Sequence, residues 1–559
     1  LVIHDVIIVG GGLAGMRAAV ESARAGLNVA IVSKVHPVRS HSVAAQGGMN
    51  AALNVADSYE DHAFDTIKGS DYLGDQEAIE LFCKEAPGDI AELEKMGAVF
   101  SRDDEGQIAQ RPFGGAGYAR TCFLADRTGH GLLHLLFEQV LKHGVCIYSE
   151  YFVIRLVVED GKVRGVIALE ILTGKLHRLR AKSVVFATGG YGRVYGSTTN
   201  ALSSTGDGMS LALREGALLM DMEFVQFHPT TLKRTGLLIT EGARGEGGYL
   251  LNAKGERFME TYAPNALELA SRDVVSRAEK MEINEGRGTD GCVFLDLRHL
   301  GREKIMERLP QIRQLSIDFA GVDPIEAPIP VRPGAHYSMG GIMTDVNGAT
   351  SIAGLFSAGE SACVSVHGAN RLGGNSLLET IVFGRRTGTA VAEFCESVDL
   401  QEFPSSALSM AASEVGRILN SRGKEDAVVL LSEVNKVMDD DCGVFREEAS
   451  LKAGLLKVRE LSERYKNVSI TDKGDTFNIE LQSVLELGHI LELAEVILLS
   501  AWNRKESRGS HARMDFKERD DKEWLKHTVI TKEICDAGEL KISYKDVSIT
   551  KYKPEKRSY

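Results

Sequence analysis

The chain has no C-x-x-C pair, no uninterrupted apolar run of membrane length and no excess of basic residues. Its eight cysteines, Cys83, Cys122, Cys146, Cys292, Cys363, Cys395, Cys442 and Cys535, are scattered. Neither a disulfide framework nor a zinc or iron-sulfur ligand set is therefore expected, no metal site is predicted, and a reducing compartment fits best. The most apolar late stretch, residues 484–502, is broken by Glu486, His489, Glu492 and Glu495, which suits an amphipathic bundle helix rather than a bilayer span. Lys and Arg number 65 against 78 Asp and Glu, a formal charge of -13. That balance argues against a general attraction to nucleic acid or anionic lipid and leaves small molecules and proteins as the expected partners. No secretory or transit segment is visible, since Val2 already belongs to a strand pattern, although one could have been removed from a precursor.

What is present begins with a nucleotide-binding pattern. With 559 residues, 43% of them apolar, about two to four globular domains are expected. The β-branched run Asp5-Val6-Ile7-Ile8-Val9 leads into Gly10-Gly11-Gly12-Leu13-Ala14-Gly15 and then a helical stretch from Met16 to Ala25. This is strand, glycine turn and helix. Gly10 permits the tight turn, Gly12 lets backbone approach a pyrophosphate, and Gly15 lets helix and strand pack, while the helix N-terminus offers free N–H groups to phosphate. A glycine turn without a ligand is the competing reading. After the second strand, Asn28 to Val32, where an acidic residue usually holds the ribose, stand Ser33 and Lys34. Ribose contacts are then expected elsewhere.

Further along, a β pattern over 152–159, the turn Asp160-Gly161 and a strand over 164–170 read as a β meander. The apolar strand Ser183 to Ala187 runs into Thr188-Gly189-Gly190, as a buried central strand near a cofactor does. Past about residue 225 come short elements rich in glycine and charge, closing near Pro324, Pro328, Pro330 and Pro333. Nucleotide-domain character resumes with Gly354-Leu355-Phe356-Ser357-Ala358-Gly359-Glu360, and helical spacing dominates from Ser405 to about Ser507. The expected class is α/β. A Rossmann-like nucleotide domain (1–225 and 337–400) carries an inserted α+β capping domain (226–336), followed by a helical bundle (401–507) and a small, charged, irregular C-terminal region (508–559).

Six motifs then agree. They are Arg39-Ser40-His41 with Ala45-Gln46-Gly47-Gly48, the run Glu223 to Thr230, the run Thr240 to Gly248, the run Ser271 to Arg277, Arg332 to Gly341, and His367 to Leu377. Together they resemble the succinate dehydrogenase and fumarate reductase flavoprotein subunits, in the family's order and over almost the whole chain. The resemblance implies FAD bound covalently through its 8α carbon to His41. It implies further FAD contacts at Gly10 to Gly15, Ser33, Lys34, Ser40, Ser42, Gln46, Gly47, Gly48, Asp207, Glu360, Ser376 and Leu377. Asp207 is a candidate to compensate for the missing ribose acid.

The same resemblance implies a dicarboxylate site in which His336 and Arg371 hold one carboxylate and His228 and Thr240 the other. Arginine suits this because its planar, permanently charged fork matches a carboxylate. Oxidising succinate to fumarate removes a hydride from one methylene and a proton from the next, and the resemblance assigns the proton to Arg272, relayed through Glu241 and Arg244. The substrate is expected between two domains whose closure expels water. Electrons would leave to a separate iron-sulfur subunit docked on membrane anchor subunits that handle quinone. The chain would then sit peripherally on the cytoplasmic face of a prokaryotic membrane, or the matrix face of a mitochondrial one. Alternatives are a fumarate reductase working in reverse and a soluble enzyme of the L-aspartate oxidase type, whose members lack the histidine of the Arg-Ser-His segment. Gln46 and residues 125–130 resemble the dehydrogenase branch.

Overall fold

The computed structural model describes residues 2–533 and 538–557; Cys535 lies outside them. A parallel five-stranded sheet forms the centre. Its order is Leu355–Ser357, Ser183–Phe186, Val6–Val9, Val29–Ser33 and Cys146–Ser149. Strands Val6–Val9 and Ser183–Phe186 are buried throughout, as strands covered on both faces must be, which is why they read as continuous apolar runs. On one face the helices Leu13–Arg24 and Asn375–Ser397 pack backbone to backbone. Side chains at Gly384 and Gly388 would come within 2.9 Å of the Ala14 carbonyl oxygen and 2.5 Å of that of Ala18.

On the other face lies the antiparallel meander Tyr151–Glu159, Lys162–Glu170 and Leu176–Arg180. It shares one hydrophobic core with the helical region, including Val153, Val166, Leu487, Leu491 and Val496. A separate apolar cluster, with Leu250, Val275, Val293 and Ile312 at its centre, underlies a second unit. That unit is an antiparallel sheet in the order Val225–Leu232, Ile329–Ser338, Val293–Asp296 and Tyr249–Leu251, flanked by the helix Arg272–Asn284.

One sequence-based expectation needs correction. The tail is not irregular: Lys526–Lys532 pairs with Leu540–Asp546 and also with Leu219–Met220, so it completes a five-stranded sheet. Two of its arginines pack inside the fold. Arg508 and Arg513 are each 1% exposed and pair with Glu506, Asp521 and Asp515. Among the described residues no helix is long and apolar enough to cross a membrane.

Candidate active site

The first glycine turn is built as steric necessity requires. Gly10 has φ +114°, and a β-carbon there would lie 2.1 Å from the Ala187 carbonyl oxygen; one at Gly15 would lie 2.1 Å from that of Gly10. Only glycine permits such approaches. The helix Leu13–Arg24 starts at Gly12 with no side-chain cap, so most of its first-turn N–H groups remain available to an anion. From here a continuous cavity runs along the carboxyl ends of the central strands, from Gly10 to Thr240 and Arg272 of the second unit. A dinucleotide with a second ligand beside it would need such length.

Nearly all the candidate residues line this one cavity: Gly10 to Ala14, Ser33, Lys34, Ser40 to Ser42, Gln46 to Gly48, Asp207, His228, Thr240, Glu241, Arg272, His336, Glu360, Arg371, Ser376 and Leu377. Gly15 and Arg244 do not; Gly15 lies in the helix-to-turn packing and Arg244 behind Glu241, 3.9 Å away.

At one end, Lys34 Nζ donates to Asp207 (2.6 Å), Thr205 (2.7 Å) and Glu486 (2.8 Å), and His489 Nδ1 lies 2.9 Å from Asp207. Burial would raise the Asp207 carboxyl, but Lys34 and His489 outweigh it and hold it below the usual range. An anionic oxygen thus sits where the second strand itself offers none. In mid-cavity His41 accepts the Ala201 N–H at Nδ1 (3.3 Å), and burial lowers its pKa to about 4, so its imidazole is neutral. Unpartnered buried oxygens of Ser40, Gln46 and Thr188 stand along the same wall. Free donors at a helix N-terminus, a glycine cradle and orphaned polar atoms fit a flavin dinucleotide.

At the other end two guanidinium groups share one acceptor. Gln226 Oε1 accepts from Arg272 Nη1 (3.1 Å) and Arg371 Nη2 (3.0 Å). Arg371 also donates to Ser376 (3.0 Å), and its Nε has no partner. Burial and the neighbouring Arg272 push its pKa down to about 9. His228 and His336 stack edge to face with centroids 5.0 Å apart. Burial, reinforced by Arg272, holds both well below the ordinary histidine value. The Thr230 N–H donates to His228 Nδ1 (3.2 Å), which leaves the buried His228 Nε2 without a partner. Thr199 Oγ1 lies 2.8 Å from His336 Nδ1 and orients that ring.

Arg272 opens the helix Arg272–Asn284, and its Nε donates to Glu241 Oε2 at 2.6 Å. Burial favours the neutral acid at Glu241, but Arg272, Arg244 and the Gly114 N–H (2.7 Å) outweigh it and keep a carboxylate. The cluster is cationic, dry and short of acceptors, so it suits a small ligand with two carboxylates. Gln226, Thr199, Asn200 and Tyr337 support it but were not among the candidates. Gln226 and Tyr337 lie inside recognised motifs, whereas Thr199 and Asn200 gave no signal before the fold placed Asn200 Nδ2 against the His336 carbonyl (2.8 Å).

Comparison with known proteins identifies the family. An FAD binding domain family matches residues 5–377, and the C-terminal domain of fumarate reductase flavoproteins matches 431–559. The succinate dehydrogenase flavoprotein subunit of Rickettsia bellii is 50% identical over 98% of this chain and 95% of its own. The fumarate reductase flavoprotein subunit of Mycobacterium tuberculosis is 44% identical over 100% and 99%. The structure of the E. coli quinol fumarate reductase flavoprotein superposes with a TM-score of 0.96 at 42% identity, covering 99% of this chain and 98% of that one. On these grounds the chain belongs to the succinate dehydrogenase and fumarate reductase flavoprotein family, and is an FAD-dependent oxidoreductase subunit.

Proposed function

We propose that the chain oxidises succinate to fumarate on FAD joined covalently to His41, and passes the electrons to an iron-sulfur subunit held at the membrane by anchor subunits that reduce quinone. The observation that carries this reading is the pair Arg272 and Arg371 on one Gln226 oxygen, with unpartnered polar atoms at Arg371 Nε and His228 Nε2. Beside the Glu241 carboxylate on Arg272, the two guanidinium groups and these free polar atoms suit the carboxylates of a ligand. Arg371 and His336 would hold one carboxylate of the substrate and His228 with Thr240 the other, leaving the central C–C bond stretched between them.

When bound, the flavin supplies the two-electron acceptor on one face of that bond. On the other face Arg272 would exchange the proton. Arginine stays protonated in proteins, so it can act only if a neighbour relays its proton, and Glu241 at 2.6 Å with Arg244 behind it offers that route. His41, neutral and facing the cavity, accepts the Ala201 N–H at Nδ1 and meets only the long 3.5 Å contact of Asn200 Nδ2 at Nε2, which is therefore the nitrogen suited to the bond. Glu360, raised by burial to about 7, would hydrogen-bond near the ring. Gln46 and residues 125–130 support the oxidative direction only through their resemblance to the dehydrogenase branch. Through its partner subunits the chain would lie at the cytoplasmic face of a prokaryotic membrane, or at the matrix face of a mitochondrial one.

The test is a denaturing gel of mature holoprotein scanned for flavin fluorescence, followed by succinate-driven dye reduction and the reverse assay with fumarate. Fluorescence on the polypeptide and faster oxidation than reduction are expected. Arg272→Gln should keep its flavin and lose about 10²–10⁴-fold in turnover, the usual worth of a general acid or base. Colourless polypeptide, or near-normal turnover in that variant, would overturn the corresponding assignment.

A further inference from the structure

His336 lines the cavity, its Nδ1 lies 2.8 Å from the Thr199 hydroxyl, and its Nε2 has no hydrogen-bond partner among the described residues. Burial and the neighbouring Arg272 keep the ring neutral. A neutral imidazole carries one ring proton, so one nitrogen donates and the other accepts. With the proton on Nε2 the ring offers a carboxylate an N–H. With it on Nδ1, the ring turns a lone pair towards an oxygen that has only lone pairs of its own.

The hydrogen bonds around Thr199 decide between these two forms. Its backbone is pinned beside the strand that carries His336: the Thr199 N–H donates to the Ala335 carbonyl (2.9 Å), and the Ala335 N–H to the Ser197 carbonyl (2.8 Å). Asn200 Nδ2 donates to the His336 carbonyl (2.8 Å), which can only accept, so it is the amide nitrogen that stands 3.5 Å from Thr199 Oγ1. The hydroxyl oxygen therefore has an N–H on one side and the imidazole Nδ1 on the other, and its single hydrogen goes to the imidazole. His228 shows the same arrangement with no freedom left. The Thr230 N–H donates to its Nδ1 (3.2 Å), the Thr230 hydroxyl hydrogen is spent on the Ile239 carbonyl (2.7 Å), and the unpartnered Nε2 must carry the ring proton. Two neutral rings with centroids 5.0 Å apart thus each keep one N–H for a ligand.

We propose that Thr199 is a positioning residue for dicarboxylate binding: its hydroxyl donates to His336 Nδ1, holds the ring proton on Nε2 and so gives the substrate carboxylate a donor in place of a lone pair. The proposal rests on the functional reading above. Thr199 acts through His336, and its part is in binding the carboxylate, not in moving the hydride or the proton. It therefore governs affinity more than the chemical step.

The experiment compares holoprotein carrying Thr199→Val, which keeps the shape and removes the hydroxyl, with Thr199→Ser, which keeps the hydroxyl and removes the methyl. Each is titrated with malonate, a dicarboxylate one methylene shorter than succinate, and followed by flavin absorbance. The Val protein should bind malonate about 2- to 10-fold more weakly, the usual net worth of one neutral hydrogen bond. Its KM for succinate should rise by the same factor while kcat and flavin content stay close to those of the unaltered chain, and the Ser protein should bind malonate nearly normally. Unchanged affinity in the Val protein would overturn the proposal, as would an equal loss in Val and Ser, which marks the methyl group as a packing contact. A second measurement does not depend on the Val protein folding. In the malonate complex of the unaltered chain, labelled with 15N only in histidine, the ring resonances that vanish in His336→Gln should be those of a neutral imidazole protonated at Nε2. Protonation at Nδ1 would overturn the proposal. If the unaltered holoprotein neither binds malonate nor oxidises succinate, the functional reading itself falls and takes this role of Thr199 with it.

Discussion

Gln226 offers one carbonyl oxygen to two guanidinium groups, while its own amide nitrogen is fixed by the Asn370 side chain (2.9 Å) and the Arg371 carbonyl (2.7 Å). Those two donations settle which way the amide faces, so its oxygen must point at the arginines. Removing it would leave two cations in one dry site with one acceptor fewer. A hydrogen bond to a charged group is worth about 1.5–3 kcal/mol, so Gln226→Leu should weaken dicarboxylate binding about 10- to 100-fold and leave the flavin content unchanged. Inhibitor titration followed by the flavin absorbance checks this, and unaltered affinity would show that the arginines hold themselves. At this scale the sequence was partly legible. The charged and aromatic members announced themselves inside long motifs, whereas Gln226 stood in one of those motifs as an ordinary polar residue. Its role depends on Arg272 and Arg371 meeting, which spacing along the chain does not encode.

The helix Ile479–Asn503 shows the same limit at the scale of an element. Its acids suggest a wet face, yet it is buried on most sides and those acids are docking points. Glu486 meets Lys34 and Glu492 takes Ser210 and Arg214 together with Lys532, while the histidine between them, His489, meets Asp207. Periodicity gives helix type and length but not the identity of the partner, because an acid facing water and one facing a distant lysine look alike in a pattern. Burial would raise the Glu492 carboxyl, but Arg214 and Lys532 outweigh it and hold it at about 2. Removing the charge leaves two cations uncompensated against a largely buried site. We expect Glu492→Gln to cost roughly 3 kcal/mol, the lower end for breaking a buried pair, seen as a lower denaturant midpoint at pH 7. An unchanged midpoint would mean that water already compensates those cations.

Across the whole molecule, the tail closes the fold by ion pairs that join segments far apart in sequence. Arg557 bridges Asp71 (3.0 Å) and Asp273 (2.7 Å), the residue after Arg272, and Arg277 donates to the Gly509 carbonyl (2.7 Å). His527 lies between Asp221 (2.7 Å) and Asp75 (3.2 Å). The α/β class with its second unit could be read from alternating strands and glycine turns, but this closure could not, since it joins isolated groups more than two hundred residues apart. It has a pH signature. Burial would lower His527, but Asp221 and Asp75 outweigh it and raise it to about 9, against 6.5 in an ordinary histidine. A base whose folded value lies above its unfolded one stabilises fully below the lower value and loses that contribution as pH climbs through the higher. The shift corresponds to on the order of 3 kcal/mol. The apparent Tm should therefore fall between about pH 6.5 and 9, and His527→Gln should start lower and lose most of that slope. An equal slope in both proteins would assign the alkaline limb to other groups and leave His527 a packing residue.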